Sequence, residues 1–310
     1  MCNYPDPSDI CAVITTFRPD ASISECLNSI HSQVGFSVIV DDSGEQSVRL
    51  QLQTWLRKRS DVLVHHQTHN SGIACALNTG VKIAISRGFR WVLTLDDDSV
   101  AAPRMVASLI TALRRIPESV TVGVVGMDWT YRSAGRSLPE TVIPAWSEKR
   151  GIITSGSMFS VEHFAQIGGF REDFFIDAVD YDFCLRARKQ GLAVIKVNQI
   201  GFTHTLGEPI YRQFLGAKIV SSNHSPIRLY YFFRNSTVLA AEYLCSDPLY
   251  ALAVLRWYVQ ISFKVLLFEE DRYHKFKAIA RGLWHGLFRR LGSAARAGAS
   301  ETAALQSQLE

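Results

Sequence analysis

The chain reads as an α/β protein: a mostly parallel sheet flanked by helices, followed by a helical extension. Three observations predict this. Apolar, β-branched runs alternate with helix-period stretches through the first hundred residues. Two of those runs end directly in acidic clusters, Asp41–Asp42 and Asp96–Asp98. From Pro226 onward the pattern is helical, and prolines stand where helices begin.

Ile10 to Phe17 predicts a buried strand, and Ile23, Leu27 and Ile30 a helix capped by Ser22. Phe36 to Val40 is a second strand, Leu50 to Leu56 a helix and Val62 to His65 a short strand. Ile73, Leu77, Val81 and Ala84 mark a helix entered through Ser71–Gly72. Trp91 to Leu95 is a strand leading into the aspartates. Residues 132–150 read as a surface loop. Order returns at Gly151 to Val161, with a helix over Val179 to Gly191 and a strand over Ala193 to Val197. Residues 198–225 read as irregular, Pro226 to Tyr243 and Pro248 to Phe268 as helices, and the residues after Gly292 as a fraying tail.

With 310 residues, 47% hydrophobic and 20% charged, the chain is too long for a minimal module and is not disordered, collagenous or coiled-coil. Its six cysteines form no CxxC pair, and Cys11, Cys26 and Cys75 sit in apolar periodic stretches, which predicts a reduced, cytoplasmic protein rather than a disulfide scaffold. The polar first ten residues predict no cleavable signal, and no run of 18 uncharged apolar residues obliges a helix to span a bilayer. Residues 1–250 hold 24 Lys and Arg against 24 Asp and Glu, so the net charge of +4 lies wholly in the last sixty residues. A neutral body with a basic appendage argues against a nucleic-acid partner.

Ligands of open parallel sheets bind at the carboxyl ends of the strands, where both acidic clusters fall. Asp96 and Asp98, two apart on extended chain, project to one side and suit a hard divalent cation shared with a phosphate. Asp97 faces elsewhere, toward a ribose or sugar hydroxyl. A solvated acidic turn is the plain alternative. Asp177, Asp180 and Asp182 form a second set: Asp180 is either a carboxylate at a helix N-terminus or a general base.

The segments VITTF–R (13–18), VIVDDSG (38–44), HNSGIACALNTG (69–80), WVLTLDDDS (91–99), TSGSMFS (154–160), IGGF (167–170), FFIDAVDYDFCLRARKQG (174–191), HTLGEP (204–209) and YYFFRN (230–235) stand in an order that resembles family 2 glycosyltransferases of GT-A fold. The likeness covers roughly residues 10–240 and is greatest to bacterial rhamnosyltransferases of O-antigen and related polysaccharide synthesis. It implies a Rossmann-like donor-binding half at about 10–100 and an acceptor-binding half at about 101–245, followed by amphipathic helices over 246–295 and a flexible tail over 296–310.

By this resemblance the donor nucleotide is held by Thr15, Arg18, Asp42, Asn70, Gly72 and Asn78, with Asp42 accepting from the pyrimidine N3–H. Asp97 joins this donor set. Asp96, Asp98 and His204 match the site for Mg²⁺ or Mn²⁺, Asp180 matches the base, and Gly156 and Asp177 fall on the acceptor side. Val179 replaces the glutamate usual before the base. Arg234–Asn235 either closes over the pyrophosphate or pairs with an acid. The implied reaction is inverting transfer of L-rhamnose from dTDP-L-rhamnose to a hydroxyl of a saccharide acceptor, of a kind commonly polyprenyl-diphosphate-linked. UDP-galactofuranose, UDP-glucose or UDP-galactose are alternative donors, and a non-catalytic nucleotide-binding scaffold is the alternative class.

Arg256, Gln260 and Lys264 recur every four residues and share a helix face. In residues 275–291, Phe276, Ile279, Ala280, Leu283, Trp284, Leu287, Phe288 and Leu291 form one apolar stripe, bordered by Arg281, Arg289 and three further Lys and Arg, with no acid. A packing helix gives the same stripe. The basic face beside Trp284 and Phe288 predicts an interfacial helix and a peripheral protein on the inner leaflet of the plasma membrane.

Overall fold

The structure is a computed structural model that describes residues 4–56, 59, 61–131, 145–204, 210–214, 217–221 and 223–294. Most of the anticipated 132–150 loop, residues 205–209 and the 296–310 tail lie outside the described residues.

Contacts divide the chain into two units, one of residues 1–171 with 180–205 and the other of residues 172–179 with 206–310. The first unit holds β1 (Ile10–Thr16), α1 (Ile23–Ile30), β2 (Phe36–Asp41), α2 (Gln46–Trp55), β3 (Val62–His66), α3 (Ile73–Ser86), β4 (Trp91–Asp96), β5 (Val100–Ala101) and α4 (Met105–Leu113). It continues with β6 (Val122–Tyr131), β7 (Trp146–Glu148), β8 (Ser157–Ser160), α5 (Val161–Ile167), α6 (Val179–Lys189) and β9 (Ala193–His204). The sheet runs β3-β2-β1-β4-β8-β6-β9-β5, with β7 also on β9. The first four strands are mutually parallel, and β8 enters antiparallel between β4 and β6.

Register brings the ligand edge into line. Thr15 pairs with Asp96 and Thr16 with Asp41, so β1, β2 and β4 end together. Every residue of β1 is buried, as a central strand covered on both faces must be. Gly80 keeps α3 close to the sheet, since a Cβ there would stand 2.3 Å from Val13 Cγ1.

Two local expectations are corrected. Ser22 is already helical and caps nothing; Asp20 Oδ1 accepts from its N–H at 2.7 Å instead. Among the described residues of 198–225 the expected irregular chain is largely strand: β9 runs on to His204, and β10 (Ile210–Phe214) pairs antiparallel with β11 (Ala217–Ser221). Asn198, Gln199 and Gly201 break the apolar alternation, and register shifts occur where β6 meets this part of β9.

The second unit contains the hairpin, α7 (Pro226–Tyr243), α8 (Pro248–Phe268) and α9 (Arg272–Leu287). Pro226 and Pro248 occupy first turns as expected, and Asp247 caps α8 by accepting from Tyr250 N–H at 3.1 Å. The contact division groups α7 with α8 and α9. Packing between α7 and α9 explains this. Ala278, Gly282 and Gly286 lie on the buried side of α9, and a Cβ at Gly282 or Gly286 would come within 2.5 or 2.6 Å of the Tyr230 or Arg234 carbonyl. Small residues at four-residue spacing let the two backbones approach closely.

The interfacial reading of α9 is therefore revised in detail. The helix ends at Leu287, Ile279 packs inward, and Lys275 is buried against Glu269 at 2.8 Å. Arg289 lies past the helix and pairs with Glu242 at 3.0 Å, while the Arg281 guanidinium lies 5.7 Å from the Tyr230 ring. Phe276, Trp284, Leu287 and Phe288 are exposed. On α8, Leu249, Leu252, Leu255, Val259, Phe263, Leu266 and Leu267 are exposed too, on the opposite side from buried Tyr250, Val254 and Val265. By length and mean hydropathy α8 is able to cross a membrane, although Arg256 and Lys264 interrupt it.

Candidate active site

Strand β4 delivers Asp96, and the chain then turns, with Ser99 N–H donating to the Asp96 carbonyl at 3.1 Å. Asp96 and Asp98 thus converge through a turn, not through strand alternation as the sequence reading supposed. His204, the last residue of β9, meets them there. One ligand atom from each of Asp96, Asp98 and His204 lies within 4.8 Å of the others. His204 Nδ1 is 2.9 Å from Asp98 Oδ1 and 3.2 Å from Ser99 Oγ. Asp98 Oδ1 is buried without an aligned hydrogen-bond donor, the condition a cation would relieve. Two carboxylates and an imidazole are a fitting donor set for a divalent cation. Burial alone would lower the His204 pKa, but proximity to Asp98, Asp96 and Asp97 outweighs it, and the net shift is upward.

Asp97 points away from this trio and accepts from the Thr16 hydroxyl. Burial pushes its pKa up to about 7; the Thr16 bond opposes the rise, while Asp96, Asp98 and Asp20 add to it. Asp42 lies at the end of β2 and is 4% exposed. Its two oxygens accept from Ser71 N–H at 2.8 Å and Gly72 N–H at 2.7 Å, which fixes the entry to α3. Burial raises its pKa to about 6 despite those bonds. Gly72 has φ +90°, and Asn70 Oδ1 accepts from its N–H at 3.2 Å, so this turn requires glycine. Arg18, at φ +50°, donates its backbone N–H to Ser43 Oγ at 2.7 Å and its Nε to Glu45 at 2.6 Å, tying the turn after β1 to the one after β2.

Asn78 has a different task from the one anticipated. Its amide nitrogen donates to the Phe170 carbonyl and its oxygen accepts from Phe170 N–H, both at 2.8 Å. It pins the IGGF turn, with both polar ends engaged. Thr15 is buried in β1 beside Asp96.

Asp180 lies in the first turn of α6 and borders a small apolar recess with Thr94, Ile152, Thr154, Phe170 and Cys184. Neighbouring Asp182 is structural: 1% exposed, it is held by Arg186 at 2.6 Å and Arg171 at 3.6 Å. The TSGS turn connects this recess to the Asp–Asp–His cluster. Thr154 lines the recess, and its carbonyl accepts from Thr94 Oγ1 at 2.6 Å. Ser155 Oγ accepts from Asp96 N–H at 3.1 Å and contacts Ser99 Oγ at 2.8 Å. Gly156 has φ +74°, and a Cβ there would strike the Phe202 ring at 2.3 Å. Ser155, Ser99 and Thr16 escaped the sequence reading, because lone hydroxyl residues beside a motif carry no periodic signal.

Asp177 belongs to the second unit. Arg228 holds its carboxylate through two bonds, of 2.9 and 2.7 Å.

The sequence model of "Glycosyl transferase family 2" matches residues 11–165, which include β1 to β8 and the acidic turn. The dTDP-rhamnosyl transferase RfbF of Shigella flexneri is 26% identical over 253 residues, 75% of this chain and 80% of that protein. The S. aureus TarS 1–349 structure in complex with UDP-GlcNAc superposes with a TM-score of 0.55 at 17% identity, covering 88% of this chain and 80% of that one. The mannosyltransferase PcManGT of Pyrobaculum calidifontis, in complex with GDP-Man and Mn²⁺, gives 0.54 at 16%, covering 98% and 81%. The fold is of the GT-A type, and the protein is a glycosyltransferase that belongs to glycosyl transferase family 2, close to the rhamnosyltransferases.

Proposed function

We propose that the protein transfers L-rhamnose from dTDP-L-rhamnose, with inversion, to a hydroxyl of a saccharide acceptor carried on a polyprenyl diphosphate, in the assembly of a bacterial surface polysaccharide such as O-antigen. The observation that carries it is the Asp96–Asp98–His204 cluster at the ligand edge of the sheet. The choice of donor rests on the likeness to RfbF.

In this reading Thr15, Arg18, Asp42, Asn70 and Gly72 seat the nucleotide. The two oxygens of Asp42 keep lone pairs beyond the Ser71 and Gly72 bonds, so one is able to accept from the pyrimidine N3–H. Asp97 takes a ribose or sugar hydroxyl. Asp96, Asp98 and His204 hold Mg²⁺ or Mn²⁺, which offsets the negative charge of the diphosphate. Asp180 accepts the proton of the acceptor hydroxyl as its oxygen bonds to the anomeric carbon and the bond from that carbon to the diphosphate breaks. Gly156 shapes the turn on the acceptor side.

The exposed apolar faces of α8 and α9 support a peripheral position on the cytoplasmic leaflet, where a lipid-linked acceptor lies. Lys277, Arg281 and Arg290 on or just beyond α9, and Arg256 and Lys264 on α8, suit an anionic surface.

A donor panel tests the assignment. Thermal shift is measured with Mg²⁺ and dTDP-L-rhamnose, UDP-galactofuranose, UDP-glucose or UDP-galactose. Stabilisation by dTDP-L-rhamnose alone supports it. Equal or greater stabilisation by a UDP-sugar overturns the rhamnose assignment.

A further inference from the structure

The YYFFRN segment is the motif that the chemistry above leaves unused, and its last two residues are a deeply buried polar pair of the second unit. Arg234 is 1% exposed and Asn235 0%. Neither reaches outward toward a pyrophosphate. The Asn235 amide nitrogen lies 2.9, 2.8 and 2.9 Å from the carbonyls of Phe174, Ile176 and Asp177, and its oxygen accepts from Arg234 Nε at 2.8 Å. Three carbonyls on one side and a guanidinium on the other admit only this orientation of the amide. Arg234 Nη2 donates to the Phe174 carbonyl at 2.9 Å and the Asp173 carbonyl at 3.2 Å, and Nη1 to the Gly292 carbonyl at 2.5 Å. Its guanidinium also lies 4.8 Å from the Tyr231 ring. Arg228, two turns earlier on α7, grips the Asp177 carboxylate.

What these side chains hold is strained backbone. Phe175, Asp177 and Ala178 have φ of +66°, +64° and +61°, none of them glycine. Such conformations persist only where the surroundings impose them, and they gather at functional sites. The residue after this loop, Val179, begins α6, and the next is Asp180.

We propose that Asn235, Arg234 and Arg228 form a clamp that holds residues 173–178 in this conformation, and that they are positioning residues for the acceptor side of transfer, setting the loop that presents Asp177 and leads directly into Asp180. The positioning role rests on the transferase reading; the clamp itself does not. Asn235 removes the freedom of three carbonyls at once, and Arg228 fixes the Asp177 side chain.

The test uses full-length Asn235→Ser, Arg228→Gln and Arg228→Lys. Backbone hydrogen exchange is followed over residues 173–178, together with donor affinity and the kcat of transfer. Arg228 is partly exposed, so its variants fold even if Asn235→Ser does not. Exchange in the loop is expected to rise about tenfold in Arg228→Gln, the scale of one lost net hydrogen bond. The kcat is expected to fall by about 10–10²-fold, the scale of a misplaced reacting group. Donor affinity stays at the wild-type value, and Arg228→Lys recovers part of the rate. Unchanged exchange overturns the clamp. Faster exchange with unchanged kcat, or an equal loss of donor affinity, overturns the positioning role. If wild-type protein transfers no sugar from any donor, the functional reading fails, and exchange alone still decides the clamp.

Discussion

Replacing Trp284 and Phe288 together by Ser separates a lipid-facing surface from a packing surface. The two rings are 55% and 57% exposed and meet at a tilt of 50° with centroids 4.4 Å apart. Rings of this kind present about 150–250 Å² in all, so about 100 Å² of each is open to solvent. At about 25 cal/mol per Å², full insertion of both is worth about 5 kcal/mol. If only half of that area enters the lipid, about 2.5 kcal/mol remains, an about ten- to hundredfold change in vesicle partition. The contacts of α9 with α7 run through Ala278, Gly282 and Gly286, which the double variant leaves intact, so folded stability should change by no more than about 0.5 kcal/mol. Flotation with phosphatidylglycerol-containing liposomes measures the first quantity and thermal unfolding the second. Flotation should fall by that factor in the variant, the exposed face of α8 supplying what remains, and in wild type it should weaken as salt rises. A variant that floats like wild type, or that unfolds, refutes the reasoning.

Three further outcomes are expected. Asp180→Asn should keep donor affinity and lower the transfer rate by about 10²–10⁴-fold, the range for loss of a general base; loss of donor binding with normal turnover of the bound fraction would make Asp180 a binding residue. Asp97 is raised to about 7 by burial, above its unfolded value near 4, so the folded state holds the extra proton between those pH values and stability falls as pH rises through that window. Asp97→Asn should flatten the dependence in chelator, leaving the smaller slope that Asp42, raised to about 6, imposes up to that pH; an unaltered urea-denaturation profile contradicts it. Gly282→Ala places a Cβ 2.5 Å from the Tyr230 carbonyl and should cost about 1–3 kcal/mol in denaturant unfolding, whereas an unchanged midpoint would mean that α7 and α9 part without cost.

The donor half was readable in the sequence because each signal there is local. β-Branched runs become β1, β2 and β4, the acidic residues stand at their ends, and Gly72 marks a turn only glycine enters. His204 was found by resemblance, since its partners are a hundred residues upstream and no spacing rule connects them. The reading of α9 stayed incomplete because periodicity weighs large apolar residues, whereas close approach to α7 selects small ones. Asn78 reads as ligand-facing because a polar residue in a motif invites that reading, and for Arg234 and Asn235 the sequence leaves a pyrophosphate or an acid as the partner. In the fold each meets backbone groups from a distant part of the chain, and those partners exist only once the tertiary structure has formed.

Transfer by wild type and Asp98→Ala, with dTDP-L-rhamnose and a polyprenyl-diphosphate-linked acceptor, in Mg²⁺, in Mn²⁺ and in excess chelator, tests the central claim most directly. Asp98 and His204 approach to 2.9 Å beside Asp96, at the edge of the sheet where a diphosphate is expected. Wild type should transfer sugar in either metal and stop in chelator, and Asp98→Ala should be inactive in all three while remaining folded. Full wild-type activity in chelator, or an active Asp98→Ala enzyme, would contradict the assignment of Asp96, Asp98 and His204 as the metal site.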